Sequence, residues 1–164
     1  MKVILLNGPS SAGKPSISRE LQKAMCNDEE NNTIIVSLDD YLIMKADEPI
    51  WEDDVFEIMP QMCNDIIQAL QQGNNIIIDH VITSARIYDS LDTVISECDI
   101  VIKVLVKCNI EILRKREIKR GDRYIGSAEA SLKYLYSPNG YDICIDSGEI
   151  NPVEAASLIA AKVI

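Results

Sequence analysis

Residues 2–25 of this 164-residue chain constrain its fold more than any other stretch. An apolar run, KVILLN, passes directly into GPSSAGK and then into the helical pattern ISRELQKAM. Strand, glycine-bearing loop and helix in that order form the context of a phosphate-binding loop, GxxxxGK followed by Ser or Thr. Gly8, Gly13 and Lys14 satisfy the pattern, and Pro15 stands where the hydroxyl residue belongs. Glycines let the backbone take turns closed to other residues, successive N–H groups then point inward, and the helix N-terminus adds partial positive charge. The candidate cradle is Gly8, Pro9, Ser10, Ser11, Ala12, Gly13, Lys14, Pro15 and Ser16, with Lys14 reaching the β- and γ-phosphates of a nucleotide. The bland alternative is a Gly/Ser-rich turn carrying a surface lysine.

Pro15 removes the hydroxyl that normally ligates Mg²⁺ and one backbone N–H from the cradle. Proline is tolerated in a first helical turn, although it pushes the preceding Lys14 away from helical torsions. Ser16 is the nearest remaining hydroxyl and a candidate metal contact, but it lies about 100° further round the helix and cannot simply take over. Nucleotide binding in weakened form and poorer Mg²⁺ placement are the expected consequences.

Beyond this unit, Val- and Ile-rich runs alternate with helical patterns, which is how parallel strands joined by crossover helices read. The strands expected are Lys2 to Asn7, Thr33 to Leu38, Asn75 to His80, Ile100 to Val106 and Tyr141 to Asp146. Helices are expected at about 14–26, 53–72, 84–96, 109–120, 128–136 and 152–162, with Pro60 kinking or dividing the second. The length suits one domain, 1–164, burying roughly 70% of its unfolded surface. Five cysteines without a CxxC pair read as reduced thiols of a cytoplasmic protein. No signal-peptide layout and no run of roughly 18 apolar residues is visible, so no membrane role is expected. A net charge of −10 argues against nucleic acid as a partner. The acidic patches, Asp28-Glu29-Glu30 and Asp47 to Asp54, read as solvated surface. Half of the sixteen Lys and Arg fall between Lys103 and Arg123, a basic segment suited to a small anionic ligand.

In open parallel sheets, ligands bind beyond the carboxyl ends of the strands. Asp39, after VSL, is placed to orient an acceptor hydroxyl and take its proton, or else to cap a helix; Asp40 is the better cap. Tyr41 follows them as a substrate candidate. Asp79 ends the third strand, where an acid holds Mg²⁺ directly or through water, or else bonds a neighbouring loop. His80, the only histidine, is a possible substrate contact or a locally packed ring. In ILRKREIKRGDRYIG, Arg116 and Arg120 share a helical face and Arg123 follows Gly121, so a flap of about 114–128 would carry guanidiniums over phosphates; a solvated basic helix is the alternative. Lys14, Asp39, Arg120 and Arg123 are the catalytic candidates, and Arg116 joins the nucleotide-binding set.

ILLNGPSSAGK, VSLDDYLIM, NNIIIDHV, REIKRGDRYIG and YDICIDSGEINPVEAA, spread along the whole chain, resemble the chloramphenicol phosphotransferase-like family of the P-loop kinase superfamily. The resemblance implies a three-layer α/β fold, with a parallel five-stranded sheet of order 2-3-1-4-5 and helices on both faces. It also implies transfer of the ATP γ-phosphate to a small-molecule hydroxyl, in the type enzyme that of an antibiotic. By similarity Asp39 is the base, residues 8–15 the ATP loop, and Arg116, Arg120 and Arg123 the lid arginines. Two departures stand out: Pro15 for the usual Ser, and His80 where a second acid is frequent. Residues 41–62, with Met44, Trp51, Phe56 and Met59, are where the pocket is expected and resemble the type enzyme poorly. Three readings therefore stand: a kinase acting on an antibiotic-like alcohol, a kinase for an endogenous metabolite, and a catalytically silent nucleotide-binding protein. The oligomeric state is left open between monomer and homo-oligomer.

Overall fold

The structure is a computed structural model that describes residues 1–26 and 32–163; the acidic patch at 28–30 lies outside them. Its elements are β1 (Lys2–Asn7), α1 (Lys14–Met25), β2 (Thr33–Ser37), a 3-10 turn (Leu38–Asp40), α2 (Glu52–Gln71), β3 (Asn75–His80), α3 (Ala85–Ile95), β4 (Ile100–Lys107), α4 (Ile110–Arg120), α5 (Ser127–Tyr134), β5 (Ile143–Asp146) and α6 (Pro152–Val163). All strand pairs are parallel and the sheet order is β2-β3-β1-β4-β5.

Alternation along β1 explains the three layers. Val3 and Leu5 pack with Val55, Met59, Met62 and Ile66 of α2 and Ile87 and Leu91 of α3. Ile4 and Leu6 face the other way, onto Ile17 and Leu21 of α1, Leu113 of α4 and Ile159 of α6. Successive strand residues point to opposite faces, so a strand covered on both sides must be apolar throughout. Each fully buried Ile or Leu contributes about 1.5–3 kcal/mol by leaving water.

Three local expectations are revised. α2 runs unbroken through Pro60, which is exposed, so the proline does not divide it. α1 begins at Lys14 as expected, with Pro15 in its first turn, so the proline does not hold Lys14 out of the helix. The fifth strand starts at Ile143, two residues later than expected.

The parallel register sets the strand ends side by side. Asn7 pairs with His80, and Ser37 with Asp79. Asn7 is buried and joins three segments: its Oδ1 accepts from the Ile82 N–H at 2.9 Å, and its Nδ2 donates to Tyr141 Oη at 2.8 Å and to the Tyr136 carbonyl at 3.3 Å. The base of the phosphate loop is thereby tied to the segments after β3 and α5. Among the described residues, no helix is long and apolar enough to cross a membrane.

Candidate active site

The loop after β1 is shaped by two different demands on glycine. A Cβ on Gly8 would lie 2.2 Å from the Val106 carbonyl oxygen, so here the need is close approach to β4, not an unusual turn. Gly13 is left-handed, with φ 87°, and is the N-cap of α1. Ser11 is left-handed as well, with φ 66°. Ser10, Ser11, Gly13, Lys14, Pro15 and Ser16 line one large cavity; Gly8, Pro9 and Ala12 form the back of the loop.

Lys14 is buried and its Nζ donates to the carbonyls of Gly8 at 3.0 Å and Pro9 at 2.9 Å. Burial pushes the ammonium below the ordinary lysine value, while the carboxylates of Asp79 and Asp39 pull it back up. Asp79 lies 5% exposed at the end of β3 with no partner for Oδ2 among the described residues. Burial raises its carboxyl to about 6, and Lys14 opposes the rise. A buried, unpartnered carboxylate oxygen beside a phosphate loop fits a divalent cation. Mg²⁺ ordinarily uses one or two carboxylates and completes its octahedron with phosphate and water. No group of three or more His, Cys, Asp or Glu among the described residues forms a protein-only metal cage. Pro15 offers it nothing, and Ser16 reaches the cavity wall from the next position.

Asp39 sits opposite, in the 3-10 turn after β2. Its Oδ2 accepts from Arg123 Nη2 at 2.5 Å and from Arg120 Nη2 at 3.2 Å. Asp122 holds the same two arginines from behind, at 3.2 Å and 3.1 Å. Arg116 Nη1 donates to Ser147 Oγ at 3.1 Å and to the Ala12 carbonyl at 3.4 Å, and its Nη2 donates to the Ser147 carbonyl at 2.8 Å. Arg116 thus braces the back of the loop against the turn after β5. All three arginines line the cavity.

Two side chains that local sequence reading did not single out organise this segment. Glu117, 1% exposed, accepts from the N–H groups of Gly126 at 2.9 Å and Ala128 at 2.8 Å, closing the turn that carries Arg123. Ser131 of α5 accepts the Ser10 N–H at 2.9 Å, so one amide of the loop is already bonded from the basic segment's side. Neither carries a local signal, since Glu117 reads as one more charge on a polar helix.

The remaining candidates meet the geometry unevenly. Tyr41 is half-buried but turns away from the cavity: its Oη donates to Asp65 of α2 at 2.7 Å. Asp40 caps no helix; it lies in the 3-10 turn, and the next helix starts at Glu52. His80 forms part of the cavity wall with no exposed surface and with neither ring nitrogen bonded among the described residues; burial lowers it to about 3, so it stays neutral. Of the four candidate pocket residues, Met44 and Trp51 line the cavity. Met59 is core, and Phe56 lies under the Arg86 guanidinium, 4.3 Å from ring centroid to Cζ. The cavity also takes Leu42, Ile50, Tyr124, Ile125 and Tyr134, and its volume is about 1180 Å³.

The ionised Asp79 destabilises the ligand-free chain. Its folded value, about 6, lies above the ordinary 3.8. The folded chain therefore holds a proton across that window that the unfolded chain releases, and stability falls as pH rises through it. Asp79→Asn mimics the protonated form, so it is expected to raise unfolding stability by about 3 kcal/mol at pH 8 and by nearly nothing at pH 4. Urea unfolding of both chains at the two pH values measures this; an equal gain at both excludes burial of charge as its source.

A parallel 2-3-1-4-5 sheet, a phosphate loop after its first strand and a basic helical segment across the carboxyl edge define a P-loop kinase-type α/β protein. The chain belongs to the chloramphenicol phosphotransferase-like protein family, whose model matches residues 1–164. A search of curated protein sequences finds no match. Among solved structures it is similar to a sugar kinase from Janibacter sp., with a TM-score of 0.76 and 15% identity over 98% of this chain and 93% of that one. It is also similar to a Mycobacterium tuberculosis APS kinase in complex with AMPPNP and APS, with a TM-score of 0.71 and 12% identity over 98% and 95%. A tunicamycin resistance protein from Deinococcus radiodurans gives a TM-score of 0.65 and 18% identity over 99% and 95%. At these identities the likeness is one of fold.

Proposed function

We propose that this chain is a small-molecule O-phosphotransferase that moves the γ-phosphate of ATP to an alcohol, with residues 1–164 acting as one domain and 114–128 as its lid. The observation that carries the reading is the juxtaposition, in one cavity, of a phosphate loop with Lys14 and an aspartate held by two arginines. A volume of about 1180 Å³ exceeds the roughly 300–1,000 Å³ of a pocket for one small molecule, so a nucleotide and an acceptor fit together.

Lys14 and main-chain amides of the loop, those of Gly13 and Lys14 among them, hold the β- and γ-phosphates, and Arg116 keeps the loop in shape. Asp39 accepts the proton of the acceptor hydroxyl as its oxygen bonds to the γ-phosphorus; the bridging P–O bond breaks and its electron pair leaves on ADP. Arg120 and Arg123 stabilise the charge spread over the transferring group. Asp79 and Ser16 are the residues that would hold Mg²⁺, which when bound neutralises phosphate charge. Cytoplasmic action belongs to this reading, since the cysteines are free and ATP is found there. An antibiotic hydroxyl is one acceptor class, and a metabolite's hydroxyl is another.

Pro15 favours a second reading, a nucleotide-binding protein that does not turn over. Calorimetry with ATP, with and without Mg²⁺, and transfer of labelled γ-phosphate to a panel of alcohols separate the two. The transferase reading expects Mg²⁺-dependent binding and transfer, and expects Pro15→Ser, which restores a hydroxyl and an N–H, to raise ATP affinity or turnover about tenfold or more. Tight binding indifferent to Mg²⁺, with no ATP consumed by either chain, establishes the silent protein instead.

A further inference from the structure

The cations lining the cavity differ in one respect. Lys14 is bonded to two loop carbonyls, Arg116 to Ala12 and Ser147, and Arg120 and Arg123 to Asp39 and Asp122. Arg19 of α1 also lines the cavity and is exposed; it is the one cavity cation with no hydrogen bond or ion pair among the described residues. Beside it in the chain, Ser18 is 1% exposed, lines the same cavity, and has a hydroxyl with no partner among the described residues. A buried hydroxyl left unbonded is destabilising, and a ligand oxygen reaching it would relieve that.

Position on the helix separates this pair from the phosphate loop. Ser18 and Arg19 lie one turn beyond Lys14 and Pro15, about 6 Å further along the axis. Ile35 and Ser37 of β2 contribute to the same cavity wall, and β2 leads directly into the turn that carries Asp39. The unpaired guanidinium therefore shares its cavity with the strand that leads to Asp39. Lys14 and the other three arginines already have partners in the loop, the turn after β5 and Asp39. A planar fork of donors with no internal acceptor is suited to a carboxylate or phosphate.

We infer that the acceptor is itself an anion: a hydroxy compound whose carboxylate or phosphate is received by Arg19, with Ser18 as a second donor, while its hydroxyl faces Asp39. This deepens the phosphotransferase reading and rests on it. It also makes the acceptor's charge a specificity determinant, because the cavity holds Asp39, Asp40 and Asp79 and a second anion enters only where a free cation meets it.

Matched probes test this with the full chain saturated with AMPPNP and Mg²⁺: glycerate and glycerol 3-phosphate against glycerol, and gluconate against glucose. Calorimetry is expected to show binding of at least one anionic probe and of neither neutral one. The relative strength of the carboxylate and phosphate probes tells which anion the site takes. Arg19→Gln is expected to weaken the anionic probe about tenfold or more, Arg19→Lys to retain part of it, and AMPPNP affinity to stay the same in both. Neutral probes binding as well as charged ones, an Arg19→Gln chain that binds the anion undiminished, or AMPPNP binding with no anionic probe bound, each overturns the anionic acceptor and leaves the transferase reading intact. Failure of AMPPNP itself to bind removes the reading on which the inference rests.

Discussion

Asp39→Asn is expected to lower kcat by about 10²–10⁴, the usual worth of a positioned general base, while nucleotide affinity holds or rises. The second half of that expectation comes from the ion pairs. Arg120 and Arg123 both place a donor on Asp39 Oδ2. An amide in its place binds the guanidiniums more weakly, because hydrogen bonds that involve a charged acceptor are about twice as strong as neutral ones. The two arginines are then freer to meet a γ-phosphate. Single-turnover transfer rates and AMPPNP titrations measure the two arms. A kcat reduced less than tenfold removes Asp39 from the role of base, and a large loss of AMPPNP affinity assigns it to nucleotide binding.

The same arrangement describes a site most of whose binding groups already have partners within the protein. Lys14 bonds loop carbonyls, the Ser10 amide bonds Ser131, Arg116 bonds Ser147, and Arg120 and Arg123 bond Asp39. Ligand binding on this picture exchanges internal partners for phosphate oxygens, so the net gain per contact is smaller than a contact list suggests. Asp79 Oδ2, the two ring nitrogens of His80 and the hydroxyls of Ser11 and Ser18 are exceptions, buried in the cavity wall and unbonded among the described residues, and the exposed guanidinium of Arg19 is unbonded among them as well. They mark where ligand atoms bring the largest relief.

What could be read from the sequence was whatever local pattern decides. Strands covered on both faces must be apolar throughout, so NNIIIDH announces β3 without a structure. The phosphate loop is contiguous, and its strand and helix flank it directly. Asp39, Asp79 and the arginines of RGDR follow from the rule that strand ends carry the chemistry. Side-chain direction and distant partners were not legible. Tyr41 lies two residues after Asp39, yet a single 3-10 turn aims it at Asp65, 24 positions away. Glu117 sits among five basic residues in RKREIKR and reads as solvated, whereas it is buried because its partners are backbone amides nine and eleven positions on. Gly8 was expected to serve a turn; the crowding by Val106 of β4 that fixes it is visible only once the sheet is assembled.

Arg123 carries the other large expected effect. It is 7% exposed and forked: Nη2 meets Asp39 at 2.5 Å and Nη1 meets Asp122 at 3.2 Å. Such a guanidinium has two separable duties, to hold the turn after α4 in place and to supply positive charge to a transferring phosphoryl group. Arginines with the second duty are worth about 10³–10⁵ in kcat, so Arg123→Ala is expected to abolish measurable transfer. Arg123→Lys divides the duties, because an ammonium keeps the charge and cannot make both forked contacts. If charge over the phosphates is what matters, the lysine chain recovers at least about tenfold over alanine with its KM for ATP near the wild-type value. If holding the turn is what matters, lysine is as inactive as alanine, and both chains lose the hydrogen-exchange protection of the Gly126 and Ala128 amides that Glu117 binds. Alanine and lysine chains that both turn over at the wild-type rate take Arg123 out of the reaction, leaving Arg120 as the arginine over the phosphate.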